Sequence, residues 1–204
     1  MFDHVVSVGG DCQPAHQIRR ITGRDEAHVF DWLLVRAAGV ARLVESDFDG
    51  FLADDAALSL HMSPYAHVAD AHSGAHLLHD FPLVPGLLAH ADAVRRKYAF
   101  LAARWRLLMA APGPVLFVWL GSEGRDAVAP LAEALRRQRA GRPFHLLALR
   151  SDVAEPDWRL PDVSNRFLRQ PAPYVWTGDD DAWNAHFGIG GDATQAEPAS
   201  RAVA

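Results

Sequence analysis

The sequence predicts an α/β fold, a single-domain three-layer fold with a mostly parallel sheet flanked by helices. Residues 114–120 and 144–149 are continuous apolar stretches, as expected of strands that are buried on both faces. Between them, residues 126–139 repeat apolar side chains at helical spacing. Strands that alternate with helices in this way form right-handed crossovers and therefore a parallel sheet.

The first strand is expected at residues 5–8, where valines suit a pleated, buried segment. Gly9 and Gly10 follow it and permit a tight turn with close backbone approach. A short helix is predicted over residues 13–22, ended by Gly23, because glycine readily adopts the left-handed conformation that closes a helix. The domain therefore begins with a strand–turn–helix unit.

The chain's only cysteine, Cys12, lies at the start of this helix. Asp11 is predicted to be the N-cap, and Pro14 fits the first turn because its missing N–H is not needed there. Unpaired amides and the helix dipole favour an anion at this end, so the position predicts a lowered thiol pKa. Such a thiol suits a nucleophile, although a small buried residue would fit the position as well.

The remaining elements follow from the same kinds of pattern. An α/β domain is expected over residues 1–188, with a disordered C-terminal tail of small and polar residues over 189–204. The other predicted elements are an amphipathic helix over 37–48, a short strand over 75–81, a long helix over 87–110 and an edge strand over 165–168.

Composition limits the classes of function. With a net charge of -5 and a pI near 6.1, the 204-residue chain lacks the basic surface that nucleic-acid binding needs. One cysteine cannot form an internal disulfide, and neither a signal peptide nor a membrane-length apolar stretch is visible. We expect a soluble, cytoplasmic protein acting on a small-molecule or peptide substrate, without nucleic acid or membrane partners. The sequence leaves the oligomeric state open.

Several short patches of the sequence carry a family resemblance. They are Ser7-x-Gly9-x-x-Cys12-x-x-Ala15-x-x-Ile18-Arg19, Phe30-Asp31-Trp32 followed by Asp47-Phe48, His79-Asp80-Phe81 before an arginine-rich helix, and Trp176-x-Gly178. Together they resemble the DUF1796 family, which is described as papain-like cysteine peptidases. The chain has Val29 where the family pattern has a proline, a difference that affects the local turn and no reactive group.

This resemblance implies a thiol nucleophile, Cys12, and a histidine base, His79. Papain-like enzymes place the nucleophile on a long helix packed against an antiparallel barrel. Here Cys12 follows a first strand, and the later strands are expected to be parallel. We therefore expect an α/β fold that carries the chemistry implied by the family name.

A second, weaker resemblance concerns the nucleophile turn alone. Gly10-Asp11-Cys12 after a strand is similar to the Gly-Asp-Ser turn of SGNH/GDSL hydrolases, which use a C-terminal Asp-x-x-His pair. This chain offers residues 179–181 and His186, but Trp183 stands three positions before the histidine. The comparison supports the same architecture and keeps His186 as an alternative base.

Three histidines are candidate bases, in the order His79, His16 and His186. His79 belongs to the family motif, and Asp80 would orient its ring if the strand twists or bulges. His16 lies four residues after Cys12 and shares its helix face. The residues predicted to be catalytic are Cys12, His79, Asp80 and Asp31.

A second group of residues is expected around the thiol. Asp31 needs a partner in its apolar stretch, either Arg19 in a structural ion pair or the histidine that it would orient. Arg19 shares the helix face of Cys12 and would otherwise bind an anionic group. The amides of Gly10, Cys12 and Gln13 are candidate oxyanion donors. The residues predicted to bind substrate are Gly10, Gln13, His16, Arg19 and Trp32.

The histidine-rich segment from His61 to His79 raises the question of a metal site. In a strand, His76 and His79 point to opposite faces and cannot share one ion. In a helix they would share a face, and Asp80 or His72 would complete a site. We predict no metal and no cofactor.

The leading prediction is a cysteine-dependent hydrolase or acyl transferase, peptidase-like, whose pocket lies at the carboxyl end of the first strand. The alternative is a non-catalytic module that binds a small anion or a nucleotide at the glycine turn. In that alternative Cys12 has a structural role.

Overall fold

The fold is mixed α/β. The computed structural model describes residues 2–62, 67–81 and 87–188. Its strands are β1 (His4–Ser7), β2 (Leu33–Leu34), β3 (Leu58–His61), β4 (His67–Asp70), β5 (Ala75–Leu77), β6 (Val115–Gly121), β7 (Phe144–Arg150) and β8 (Val163–Phe167). Its α-helices are α1 (Gln13–Thr22), α2 (Ala37–Glu45), α3 (Ala91–Ala110), α4 (Arg125–Arg139) and α5 (Asp180–Phe187).

The central sheet has the strand order β1-β6-β7-β8, and each neighbouring pair is parallel. The predicted parallel sheet is therefore confirmed, with β8 at an edge as expected. The carboxyl ends of β1 and β6 lie side by side, because Ser7 is aligned with Val118 in the register. This places the turn after β1 against the end of β6.

Helices cover both faces of this sheet. Adjacent residues of β6 show this, because successive side chains of a strand point to opposite faces. On one face, Val118 belongs to a buried cluster with Ile18 of α1 and Trp183 of α5. On the other face, Phe117 packs against Trp105 of α3, with ring centroids 5.6 Å apart. The predicted three-layer arrangement is confirmed.

A second, antiparallel sheet was not predicted. Its strand order is β2-β5-β4-β3, and it is built almost entirely from the segment between α2 and α3. The short strand predicted near residues 75–81 is confirmed as β5, at its centre. An isolated bridge between Gly10 and Val35 joins the turn after β1 to the end of β2. The two sheets are thus connected next to Cys12.

Several predicted boundaries differ from the observed ones. Helix α1 spans the predicted residues and ends at Gly23, which is left-handed with a φ of 67°. Helix α2 ends earlier than predicted because Asp47 and Phe48 have φ angles of 52° and 66°, outside the helical region. The long helix begins at Ala91, and a 3-10 turn at Leu87–His90 precedes it.

The predicted tail over residues 189–204 lies outside the described residues. Within the described ranges, none of the helices combines the length and the apolar character that crossing a membrane would require.

One buried arginine joins several chain segments. Arg139, the last residue of α4, is fully buried. It donates hydrogen bonds to backbone carbonyls of residues 108, 109, 111, 113 and 143. These carbonyls lie at the end of α3 and before β6 and β7, so the guanidinium satisfies acceptors that the helix end leaves unpaired.

Replacing Arg139 with methionine should lower the free energy of unfolding by about 3 kcal/mol or more, because several buried carbonyls lose a charged donor. Chemical denaturation followed by circular dichroism measures the change. Arg96→Met, at an exposed position on α3, is the matched control and should change stability by less than about 0.5 kcal/mol. Equal stability of the two variants would contradict this role of Arg139.

Candidate active site

The turn after β1 requires glycine. Gly9 and Gly10 have φ angles of 91° and 92°, a region that residues with a side chain rarely adopt. A Cβ on Gly10 would lie 1.6 Å from the carbonyl oxygen of Leu120 in β6. The turn therefore passes against the end of β6 at a distance that excludes any other residue, and Cys12 follows directly.

Cys12, and not Asp11 as predicted, is the N-cap of α1. The Asp11 carboxylate instead accepts a hydrogen bond from the Gln13 amide, with a distance of 2.8 Å between Oδ1 and N. This contact spans two residues and pairs the amide of the first residue of α1. The thiol still stands at the helix N-terminus, where it is half-buried.

The structure brings Cys12 and His79 together. The distance between Cys12 Sγ and His79 Nε2 is 3.7 Å, within the range of a hydrogen bond to sulfur. His79 follows β5, and β5 is held in place by the pairing of Leu77 with Leu33 in β2. The His79 ring also packs edge-on against Trp32, with centroids 6.0 Å apart. The thiol and the imidazole are thus positioned by two different sheets.

The other two candidate bases are engaged elsewhere. The His16 ring packs against Trp176, with centroids 5.1 Å apart and an interplanar angle of 63°. His186 Nε2 lies 3.2 Å from the carbonyl oxygen of Phe167, at the end of β8. Of the three candidate bases, His79 is therefore the one in hydrogen-bond contact with Cys12.

Asp80 binds to α3. Its buried carboxylate accepts hydrogen bonds from the Lys97 ammonium and from the Tyr98 hydroxyl, the latter at 2.8 Å. Burial, and then the charge of Asp80, raise the pKa of Tyr98 well above its ordinary value, so the phenol stays a donor. Within the described ranges, no hydrogen bond joins the Asp80 carboxylate to the His79 ring. The carboxylate instead anchors the backbone directly after the histidine.

Asp31 pairs with Arg19, one of the two partners expected from the sequence. Arg19 Nη2 donates to Asp31 Oδ2 at 2.6 Å, and the carboxylate also accepts from the His28 amide at 2.8 Å. The Arg19 guanidinium lies 5.2 Å from the centroid of Trp32, the ring that contacts His79. The ion pair therefore supports the aromatic wall of the site. Its guanidinium also binds Asp25, which leaves it poorly placed for an anionic ligand.

Two of the three candidate oxyanion donors are occupied. The Gly10 amide donates to the Val35 carbonyl at 3.2 Å, and the Gln13 amide donates to Asp11. In the part of the chain that the structure describes, the Cys12 amide makes no such bond and stays available. Because the amides of Gly10 and Gln13 are occupied and the Asp11 carboxylate is adjacent, the turn is poorly suited to bind an anion.

The thiol pKa moves opposite to the prediction. Burial first, and then the negative charge of Asp11, raise the pKa of Cys12 from 9.0 to about 11. A helix dipole contributes about 0.3–1 kcal/mol, which corresponds to less than about one pKa unit. Burial and the carboxylate therefore outweigh the helix start, and the resting thiol is protonated at neutral pH.

Three histidines of the histidine-rich segment form a cluster that includes neither Cys12 nor His79. His61, His67 and His76 lie on one face of the antiparallel sheet, and their ring centroids are 5.0–5.5 Å apart. His76 is in strand β5, so it does not share a site with His79. Within the described ranges, no group of three histidine, cysteine or carboxylate side chains is arranged to hold a metal ion.

A cleft of about 490 Å³ opens beside the nucleophile turn. Its lining includes Gly10 and Asp11 of the turn, His76 of β5 and Gly121 at the end of β6. The cleft gives a bulky molecule access to the region where the two sheets meet.

The comparisons with known proteins address the family. A family described as "putative papain-like cysteine peptidase (DUF1796)" matches residues 3–144, which is more than half of the chain. The chain belongs to the DUF1796 family. Comparison with curated proteins and with solved structures gives no significant match.

In this DUF1796 protein, sequence reasoning missed the residues that support the site from α3. Lys97 and Tyr98 bind Asp80, yet the helical pattern alone places Tyr98 in the core and Lys97 on the surface. Their proximity to the His79–Asp80 pair depends on how α3 packs, which has no local signal in the sequence. The hydrogen bond from the Gln13 side chain to the Trp176 carbonyl was missed for the same reason, because it joins segments that are far apart in the sequence.

The raised thiol pKa predicts slow alkylation. The rate with iodoacetamide should rise about tenfold per pH unit between pH 7 and 10, because the thiolate is the reacting form. Asp11→Asn removes a negative charge and keeps an acceptor for the Gln13 amide, so alkylation at pH 8 should accelerate about twofold to tenfold. Asp47→Asn, at an exposed ion pair with Arg106, is the control. A rate that levels off below pH 9 would contradict the raised pKa.

Proposed function

We propose that this protein is a cysteine-dependent hydrolase or acyl transferase, peptidase-like, with Cys12 as nucleophile and His79 as general base. The observation that carries the proposal is the 3.7 Å contact between Cys12 Sγ and His79 Nε2. Sequence positions 67 residues apart meet here in hydrogen-bond range. A nucleophile with a base in contact is the arrangement that covalent catalysis needs.

In the first step, Cys12 Sγ attacks the carbonyl carbon of an amide or ester. His79 Nε2 takes the thiol proton as the S–C bond forms, and the carbonyl electron pair moves onto oxygen. In this step the Cys12 amide donates a hydrogen bond to that oxygen. The tetrahedral intermediate then collapses, the bond to the leaving group breaks, and His79 returns the proton to the leaving amine or alcohol.

In the second step, the thioester on Cys12 is released. His79 takes a proton from water, or from an acceptor alcohol or amine in a transfer reaction, and the new nucleophile attacks the thioester carbonyl. The second tetrahedral intermediate collapses, the C–S bond breaks, and the proton on His79 passes to the departing sulfur. The product is a carboxylic acid or a new acyl compound.

The raised pKa of Cys12 determines how His79 acts. Because the resting thiol is protonated, attack requires that the proton leaves during the reaction. Two contacts hold the ring for this transfer: Trp32 packs against it, and the following residue, Asp80, is anchored by Lys97 and Tyr98. Lys97 and Tyr98 act through Asp80 as positioning residues in this proposal.

The test uses a peptidyl acyloxymethyl ketone. Sulfur displaces the carboxylate from the methylene carbon of this reagent, which leaves a thioether that mass spectrometry locates. The wild-type protein should be labelled at Cys12, and His79→Ala should lower the labelling rate by about 10²-fold or more, because proton transfer to a positioned base contributes this much. Cys12→Ser should show no labelling.

His186→Gln is the matched control, since His186 binds a carbonyl of β8 and has no contact with the thiol. It should be labelled at the wild-type rate. If His79→Ala reacts as fast as the wild type, the proposed role of His79 is wrong.

A further inference from the structure

A group of exposed apolar side chains lies in the segment before α5. Tyr174, Val175 and Trp176 are 62%, 45% and 51% exposed, and we call these three residues the aromatic rim. Single exposed apolar residues are common on protein surfaces. A contiguous group of large ones beside polar residues is typical of a ligand-binding or interaction surface.

The backbone of the rim is held by the first turn of α1. Gln13 Nε2 donates to the carbonyl of Trp176 at 3.1 Å, and Gln17 Nε2 donates to the carbonyl of Thr177 at 2.6 Å. Gln13 also exchanges amide hydrogen bonds with Gln170. Both α1 glutamines are buried. The rim is therefore fixed by backbone contacts that do not involve its own side chains.

The rim lies beside the reactive thiol. The Trp176 ring packs against His16, one helical turn after Cys12, with centroids 5.1 Å apart. Burial, and then the charges of Asp11 and Cys12, raise the pKa of the Tyr174 phenol. Exposed aromatic surface and the thiol are thus neighbours on the same side of α1.

The charges around the thiol exclude one class of substrate side chain. Asp11 places a carboxylate next to Cys12, and this repels an acidic group. Arg19, the cation on the same helix face, is paired with Asp31 and Asp25. The surroundings of the thiol therefore favour an apolar group over an acidic one.

We infer that the aromatic rim binds a large apolar side chain carried by a peptide next to the carbonyl that Cys12 attacks. The inference rests on the proposed function, since it names the substrate class of the same site. Trp176 and Tyr174 provide the aromatic contact surface. Both are specificity-determining residues and neither takes part in proton transfer.

The experiment compares three peptidyl acyloxymethyl ketones that carry phenylalanine, glutamate or glycine next to the ketone. For the wild type, the second-order labelling rate at Cys12 should be about tenfold or more higher with phenylalanine than with glutamate. Trp176→Ala should lower the rate with phenylalanine about tenfold and leave the rate with glycine within about twofold. Trp176→Phe should recover most of the preference.

Phe100→Ala is the matched control, because Phe100 is 61% exposed on α3, away from the rim. It should keep the wild-type preference. Equal rates with phenylalanine and glutamate in the wild type would overturn the inference. So would a Trp176→Ala variant whose rates with all three reagents fall by the same factor. In either case, labelling that still depends on His79 leaves the proposed function standing. If none of the three labels Cys12 in a His79-dependent way, both fail.

Sedimentation of wild type and Trp176→Ala tests the other occupant of an apolar surface, a second copy of the chain. The same sedimentation coefficient is expected for both proteins. A dimer that dissociates on substitution would assign the rim to an interface and overturn the inference.

Discussion

The close approach of Gly10 to β6 is the constraint on which the site depends. A backbone without Cβ passes against the Leu120 carbonyl and at the same time pairs with Val35. Strand β2, which ends one residue before Val35, pairs with β5, and His79 follows β5 two residues after its end. The bridge at Gly10 and the pairing of β2 with β5 therefore fix the chain segments next to Cys12 and His79 relative to each other. A side chain at position 10 would push the turn away from β6 and disturb this arrangement.

The ionic groups around the site are paired in ways that support its geometry. Asp31 pairs with Arg19, whose guanidinium lies next to the Trp32 ring. Asp80, the residue after His79, binds Lys97 on α3. Among the residues that the structure describes, Cys12 and His79 have no ion pair with a side chain. The ion pairs thus fix the surroundings of the site, and in the proposed reaction the proton passes between a thiol and an imidazole in direct contact.

The parts of the structure that follow from local chemistry were predictable from the sequence. Gly23 ends α1 where expected, and the apolar stretches of β6 and β7 form a parallel sheet. The antiparallel sheet has strands of two to four residues, which are too short to show an alternating pattern. The thiol pKa was mispredicted for a related reason: a helix start is visible in the sequence, whereas burial is not. The contact between Cys12 and His79 was expected from the family motif and not from any spacing.

The raised thiol pKa and the proposed chemistry are compatible because the charge moves during attack. At rest, Asp11 opposes a negative sulfur and keeps the proton on Cys12. As the S–C bond forms, the negative charge passes from sulfur to the carbonyl oxygen, where the Cys12 amide is available, and a positive charge develops on His79. The Asp11 carboxylate, which repels a negative charge on sulfur, attracts the positive charge that develops on His79. Asp11 therefore slows the reaction of the free thiol with a simple alkylating agent and stabilises the charges that develop in acyl transfer. The thiol becomes reactive when a carbonyl substrate is bound.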